Sequence, residues 1–481
     1  MATAGAARGA EGAPHGDASR GPAPVDLLVR DAELVATMSG SGDLLGGFVA
    51  IAGGRVVSVG RRGEEPPAIR TIDARGCLVT PGLVNTHHHI YQNLTRAYLP
   101  ATRRDLFGWL TTLYPLWAAL DEEAAYLSAW VGLAELALGG CTTTADHLYV
   151  YPRGAGDLLG AEIAAARELG VRFHPTRGSM SRSHSDGGLP PDSICEDEDE
   201  ILAACEAAVG RHHDPSPDAM VQIALAPCSP FSVSAELMRA TAHLAERLDV
   251  RLHTHLAEDP DEDRYCLDVY GRRPVDHLED VGWMSDRSWV AHCVYPNPAE
   301  VVRLGAAGVG VAHCPSSNLM IAGGLAPVAE LRAAGSPIGL GCDGSSSTDS
   351  ASLWLEARTA MLLGRLRSGP ASTGARDALE IATLGGAACL GRSGEIGLLA
   401  PGAAGDLVCW PLDGVAFAGA LSDPVEAWLR CGPVAARHTV VAGRPVVLDG
   451  EISAPGLEDV LRRHRDASRR MQRLTQSVTD P

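Results

Sequence analysis

The chain has 481 residues, with 40 basic and 59 acidic side chains for a formal net charge of −19; 46% of its residues are hydrophobic and 21% charged. This is the composition of a folded α/β protein, and with no block of basic residues to follow a phosphate backbone, neither nucleic acid nor an anionic membrane is an expected partner. No apolar run approaches the ~20 residues that span a bilayer. The twelve cysteines include no C-x-x-C pair and several sit inside apolar runs such as "LVCW" and "AACLG", so the expectation is a reducing cytoplasm, not a disulfide framework.

In chain order, residues 1–25 form an Ala/Gly/Pro-rich extension without the apolar core of a secretory signal, and are expected to be disordered. Residues 26–80 break into short β-like runs at hairpin spacing, among them "GGFVAIAGGRVVSVG" and "TIDARGCLVTPG". The same texture returns over 395–455, in "GDLVCWPL" and "ARHTVVAGRPVVLDGE", so the two terminal regions are predicted to pair into one small composite β-sandwich.

Between them, over 81–394, apolar or β-branched runs alternate with Ala/Leu-rich stretches of helical period, the signature of repeated βα units. Eight strands are predicted, within "LVTPGLVNTHHH", "CTTTADHLY", "GVRFHPTRG", "VQIALAPCS", "VRLHTHLAE", "SWVAHCV", "VGVAHCP" and "PIGLGCDG". Eight such units suit a (β/α)8 TIM barrel, a fold that places its chemistry at the C-terminal ends of the strands. Residues 456–481 are expected to be an exposed charged helix, packed on the outside of the barrel or on a neighbouring subunit.

The unusual residues of this sequence fall at those strand ends. In "NTHHHI", His87 and His89 lie two apart on an extended strand, so their imidazoles share a face and can converge on one metal ion while His88 points away. His88 is therefore expected to tolerate replacement better than its neighbours. A histidine pair alone is as readily explained by ordinary hydrogen bonding. The fifth strand, however, adds His253 and His255, with Glu258 at its exit; the sixth adds His292 and the eighth Asp343. Imidazoles with one carboxylate form the ligand set of a catalytic Zn²⁺ that keeps a position open for water, although Fe²⁺ accepts the same donors. His253 reads as a structural neighbour once that set is filled, and His313 stays ambiguous. Cys228, Cys293, Cys314 and Cys342 near the strand ends have the inert role of buried cysteine as their alternative reading.

Taken together and in order, "PGLVNTHHH", "HTHLAE", "VAHC", "HCPSSN" and "GLGCDGSSS" resemble the amidohydrolase superfamily, in its cytosine deaminase and chlorohydrolase-like branch. The resemblance runs from about Asp26 to Leu448 and includes "ATLGGAACLGRSGEIGLLAPGAAGDLV". It implies His87, His89, His255 and Asp343 as ligands of one divalent metal, His292 as the residue that holds or polarises the attacking water, and Glu258 as the proton shuttle. No lysine follows the fourth strand, where binuclear members carry a bridging residue, so a single ion is implied. A homo-oligomer is expected from the family and the terminal helix.

Finer similarity lies in "HHHIYQNLTRA", "LFGWLTTLYPLWA", "DHLYVYPRGAG", "RGSMSRSHSDGGLPPDSI" and "LAPCSPFSVS". These segments are similar to 8-oxoguanine deaminases, and more loosely to enzymes acting on isoxanthopterin or hydroxylated s-triazines. The expected partner is thus a small heterocycle and the expected reaction its hydrolytic deamination. An oxopurine edge wants placed polar groups on an apolar wall. Gln92 offers donor and acceptor to that edge, Trp117 and Tyr114 would pack against the ring, and Cys228 would line the pocket; for each the alternative is an ordinary core role. The Gly/Pro-rich loop around "GSMSRSHSDGGLPP" is expected to close over the ring. Two readings of other classes remain, a non-catalytic metal- or ligand-binding barrel and a scaffold built on the terminal helix.

Overall fold

Eight short parallel strands close into a barrel in the computed structural model, which describes residues 1–2 and 23–474. They are β1 (Leu83–Asn85), β2 (Cys141–Leu148), β3 (Arg172–Ser179), β4 (Ala224–Pro227), β5 (Leu252–Leu256), β6 (Ser288–His292), β7 (Gly310–His313) and β8 (Ile338–Leu340). Each falls in one of the eight predicted segments, β3 running one residue past its segment to Ser179, and β8 closes on β1 through Leu340 and Asn85. Because successive side chains alternate, Val84, Ala145, Ala224, Trp289 and Ala312 meet in a buried cluster, the packed core that such a barrel requires.

The helical layer forms where the sequence supplies caps. The helix α1 (Leu106–Trp117) starts at Asp105, whose carboxylate accepts from the backbone N–H of Gly108, and α2 (Glu122–Leu138) starts at Asp121, which accepts from Ala124. Two glutamates in the first turn of α2 favour its positive end. Eleven residues of α2 are buried, since it is covered by the barrel beneath and by other elements above.

The terminal regions build two β-sheets. One has four strands, all from the N-terminal part: Arg55–Gly60, Phe48–Ala52, Val25–Arg30 and Ala68–Asp73. The other has seven strands, in which Cys77–Pro81 pairs antiparallel with Leu407–Pro411, so it joins both ends of the chain. Leu27, Val29, Ile51, Val79, Leu407 and Val440 form the buried layer between them. The expected N-terminal extension lies outside the described residues apart from its ends, as do residues 475–481 of the expected terminal helix.

The C-terminal helix, Leu457–Arg473, buries Val460, Ala467 and Met471 and packs on α2 and on the turn Ile90–Thr95 of its own barrel. His464 Nε2 donates to Asn93 Oδ1 at 2.8 Å and Ser468 Oγ to the Leu94 carbonyl at 2.7 Å. Among the described residues no helix is long and apolar enough to cross a membrane.

Candidate active site

The two metal-ligand candidates after β1 stand beyond the barrel strand itself. Asn85 ends the strand, its Oδ1 accepting from Cys342 N at 3.0 Å and its Nδ2 donating to Thr144 Oγ1 at 3.0 Å. Past it, His88 and His89 pair in parallel with Asp343 and Gly344, which sets histidines and carboxylate side by side. Asp343 has φ +57° and His292 φ +69°, left-handed conformations that cost energy in non-glycine residues and collect at functional sites.

Three imidazoles are held by their Nδ1 atoms. His89 Nδ1 is 2.8 Å from the His147 carbonyl oxygen, and His255 Nδ1 is 2.6 Å from that of Cys228. His87 Nδ1 meets His253 Nε2 at 2.7 Å, while His253 Nδ1 is 2.9 Å from the Trp289 carbonyl oxygen. A carbonyl can only accept, so in each ring Nδ1 carries the hydrogen, and His253 Nε2 must accept from His87. All three Nε2 atoms are left as bare lone pairs.

Those lone pairs converge. His89 Nε2 lies 3.1 Å from His255 Nε2, and His87 Nε2 and His89 Nε2 lie 3.2 Å and 3.3 Å from Asp343 Oδ1. His87 Nε2 has no hydrogen-bond partner although the residue is fully buried. Bare imidazole nitrogens repel one another and a carboxylate oxygen, so the donor set fits a cation. His87, His255, His292 and Asp343 form one group able to hold a metal ion, and His87, His89, His147 and His255 another. Burial pushes His87 and His255 well below the ordinary histidine range, keeping them neutral and able to ligate.

Around this set lie the proton-handling groups. His292 Nδ1 donates to Asn318 Oδ1 at 2.9 Å, and its Nε2 faces Glu258 Oε1 at 3.5 Å and Asp343 Oδ2 at 3.9 Å. Asp343 Oδ2 accepts from Ser317 Oγ and, at 3.2 Å, from Ser347 Oγ. Burial, reinforced by the Asp343 and Asp259 charges, raises the Glu258 carboxyl well above its usual value. Burial alone would raise Asp343 too, but the charge of the facing His292 outweighs it and that carboxyl is held well below the usual range. The two acids are thus pushed in opposite directions, the division that acid–base chemistry on a single site needs.

The cavity above is lined by Gln92, Cys228, Tyr149 and Phe231 and by Leu106, Trp109, Leu110 and Tyr114 of α1, with His89, His255, Glu258, His292 and Asp343 as its floor. Gln92 is fully buried; its Nε2 is 3.5 Å from Tyr149 Oη and its Oε1 has no partner. A Cβ on Gly344 would fall 1.8 Å from that Oε1, so only glycine lets the amide reach its place. Burial pushes the Cys228 thiol up to about 12, leaving it neutral.

Three expectations are corrected. Trp117 does not line the cavity: it is fully buried behind it, against Tyr91, Trp109 and Tyr114, with Nε1 donating to Thr95 Oγ1 at 3.0 Å. The helical period turns Trp109 inward in its place. The third-strand loop around 178–191 contributes no residue to the cavity wall, which comes from α1 and Phe231 instead. His88 is fully buried and bonded through Nδ1 to the Asp343 backbone carbonyl, so it holds the carboxylate strand and is not a free neighbour.

Sequence reasoning also passed over His147, Ser317 and Asn318. His147 follows the inward Ala145 by two, and that alternation marks it as inward; its Nε2 donates to Ala226 O at 3.0 Å, and its ring stacks on His255 at 5.0 Å. Ser317 and Asn318 stand on the short helix Pro315–Met320, and no periodicity ties them to β6 or to Asp343.

A closed parallel barrel whose strand ends gather imidazoles and an aspartate around a buried cation site defines a metal-binding hydrolase. The chain belongs to the amidohydrolase family, whose model matches residues 78–446. It is 48% identical to the 8-oxoguanine deaminase of Pseudomonas aeruginosa over 89% of this chain and 95% of that enzyme. It is 37% identical to the hydroxydechloroatrazine ethylaminohydrolase of Pseudomonas sp. strain ADP over 91% and 88% of the two chains. Among solved structures, the zinc complex of atrazine chlorohydrolase from Arthrobacter aurescens TC1 superposes with a TM-score of 0.88 at 35% identity, covering 92% of this chain and all of that one.

Proposed function

We propose that the protein hydrolytically deaminates an oxopurine in the cytoplasm, with 8-oxoguanine, converted to uric acid and ammonia, as its first substrate. The observation that carries the reading is the placement of Glu258 and Asp343 at 3.5 Å and 3.9 Å from His292 Nε2, in a cavity lined also by Trp109, Tyr114 and Gln92, whose Oε1 has no partner. The 48% identity to an 8-oxoguanine deaminase supports the choice of substrate.

His87, His89, His255 and Asp343 would hold one divalent cation, for which we propose Zn²⁺. Such an ion supplies Lewis acidity, bringing the pKa of water from about 15.7 to about 7. The chain's own groups account for the rest. His292 Nε2, oriented by the Nδ1 bond to Asn318, faces the position of the attacking water. Asp343 takes the proton that the water loses on attack at the amino-bearing ring carbon. Glu258 gives its proton to the adjacent ring nitrogen, and a second transfer, from the new hydroxyl through the same carboxylates, lets the amine leave as ammonia. The ring carbon keeps the oxygen and becomes a carbonyl, so water is consumed and one ammonia released. The Gln92 amide reads the ring edge, and Trp109 and Tyr114 pack against the flat of the ring.

The test is an ammonia-release screen of metal-loaded protein on 8-oxoguanine, guanine, isoxanthopterin and a hydroxylated s-triazine. The expected result is the highest kcat/KM on 8-oxoguanine. An inert 8-oxoguanine with turnover of isoxanthopterin would overturn the substrate; no turnover of any of them would favour the non-catalytic barrel.

A further inference from the structure

The opposite, N-terminal mouth of the barrel holds a second polar cleft, of about 320 Å³. His174, near the start of β3, lines it with only 2% of its surface exposed, and its buried Nδ1 has no partner. Beside it stands Arg251, the residue before β5. Its Nη2 donates to the Asp286 backbone carbonyl at 2.7 Å, and its buried Nε has no partner. Gly391 makes room for this guanidinium: a Cβ there would come 2.6 Å from Nη1.

The carboxylate whose charge acts on Arg251 is that of Asp286, and the buried Arg251 Nε donates no hydrogen bond to it. Arg287 at the rim is already paired with Asp249 at 3.1 Å, and the Asp286 side chain is exposed. Gln222 and His213 complete the wall, His213 Nδ1 accepting from Ile223 N at 3.0 Å. Burial, with the guanidiniums of Arg392 and Arg251 adding to it, pushes His174 well below the ordinary histidine range. The lining holds Arg251 and Arg287 against Asp249 and Asp286, and of the two guanidiniums only that of Arg251 has a buried Nε left without a partner. A buried guanidinium Nε–H without an acceptor, next to an orphaned imidazole nitrogen, is costly unless a ligand completes both.

We propose that this cleft is a second ligand site, distinct from the catalytic cavity, that takes a phosphate-sized oxyanion between Arg251 and His174. Arg251 offers Nε–H as a charge-assisted donor, and His174 and Gln222 offer neutral donors to the remaining oxygens. The site carries its own reporter. The Trp289 indole lies 5.8 Å from the His174 ring and 5.9 Å from the Arg251 guanidinium carbon, and its other neighbour is His253, stacked at 4.4 Å.

Inorganic phosphate titrated into the full, metal-loaded chain at constant ionic strength tests the site, read by Tm and tryptophan emission. Saturating phosphate is expected to raise Tm by about 3 °C, the scale of ligand stabilisation for a chain of this size. The emission change should vanish in Trp289→Phe while the Tm rise remains. Gln222→Glu adds a further carboxylate to the cleft wall, which repels an oxyanion, so it should abolish the phosphate effect. Arg251→Met should abolish it as well, and if that variant fails to fold, Gln222→Glu still decides. No Tm rise in the parent chain, or an equal rise in Gln222→Glu, which would place phosphate at the catalytic centre instead, overturns the proposal.

Discussion

His87 and His253 meet through a 2.7 Å Nδ1 to Nε2 hydrogen bond, and His253 passes the constraint on to the Trp289 carbonyl at 2.9 Å. One imidazole thereby holds another in the tautomer that ligates. His253 shares a strand face with His255, yet it acts one layer below, on the ligand and not on the metal position.

Replacing His253 with phenylalanine keeps the ring packing on Trp289 but removes the acceptor for His87 Nδ1. Metal affinity should fall about 10–100-fold, as is usual for partners of ligating histidines. Chelator competition read by residual metal content checks this, and unchanged affinity would return His253 to a packing role.

Glu258→Gln preserves shape and loses the proton. The expected outcome is a kcat lower by about 10²–10⁴-fold, the range for a lost general acid–base, with metal content as in the parent chain. A matching loss of metal would instead make Glu258 a ligand.

Trp117 and Trp109 should part company. Trp117→Phe loses the indole N–H bond to Thr95, worth about 1 kcal/mol, and should lower Tm by about 1 °C in a chain of this length with KM unchanged. Trp109→Ala strips the cavity wall, so KM should rise while Tm falls as well. Steady-state kinetics beside a thermal melt separates the two.

The clasp of the C-terminal helix should weaken in acid. Burial lowers His464 from 6.5 to about 4, so between those values the unfolded chain binds a proton that the folded chain refuses. This contribution to stability is present above pH 6.5 and is lost as pH falls toward 4. Other buried histidines add to the same trend, so the informative quantity is the difference from His464→Gln, which keeps a donor for Asn93. Its Tm should fall less between neutral pH and pH 5; parallel curves would sink the assignment.

Local information was enough for much of this protein. The eight strands were legible because each is a short β-branched run followed by a helical period, and the order of His87, His89, His255, His292 and Asp343 along those runs carried the family. Period-two alternation separated His88 from its neighbours and, applied to "ADHLY", marks His147 as well. The tertiary structure decided what lies between elements distant in the chain. Only barrel closure brings His88 into register with Asp343, across 255 residues, and seats Ser317 and Asn318 behind the reacting groups. The rotation of α1, set by how its apolar face packs, chose Trp109 over Trp117. These contacts depend on the angle at which one packed element meets another, and a hydrophobic pattern records that a residue is buried without recording what it is buried against.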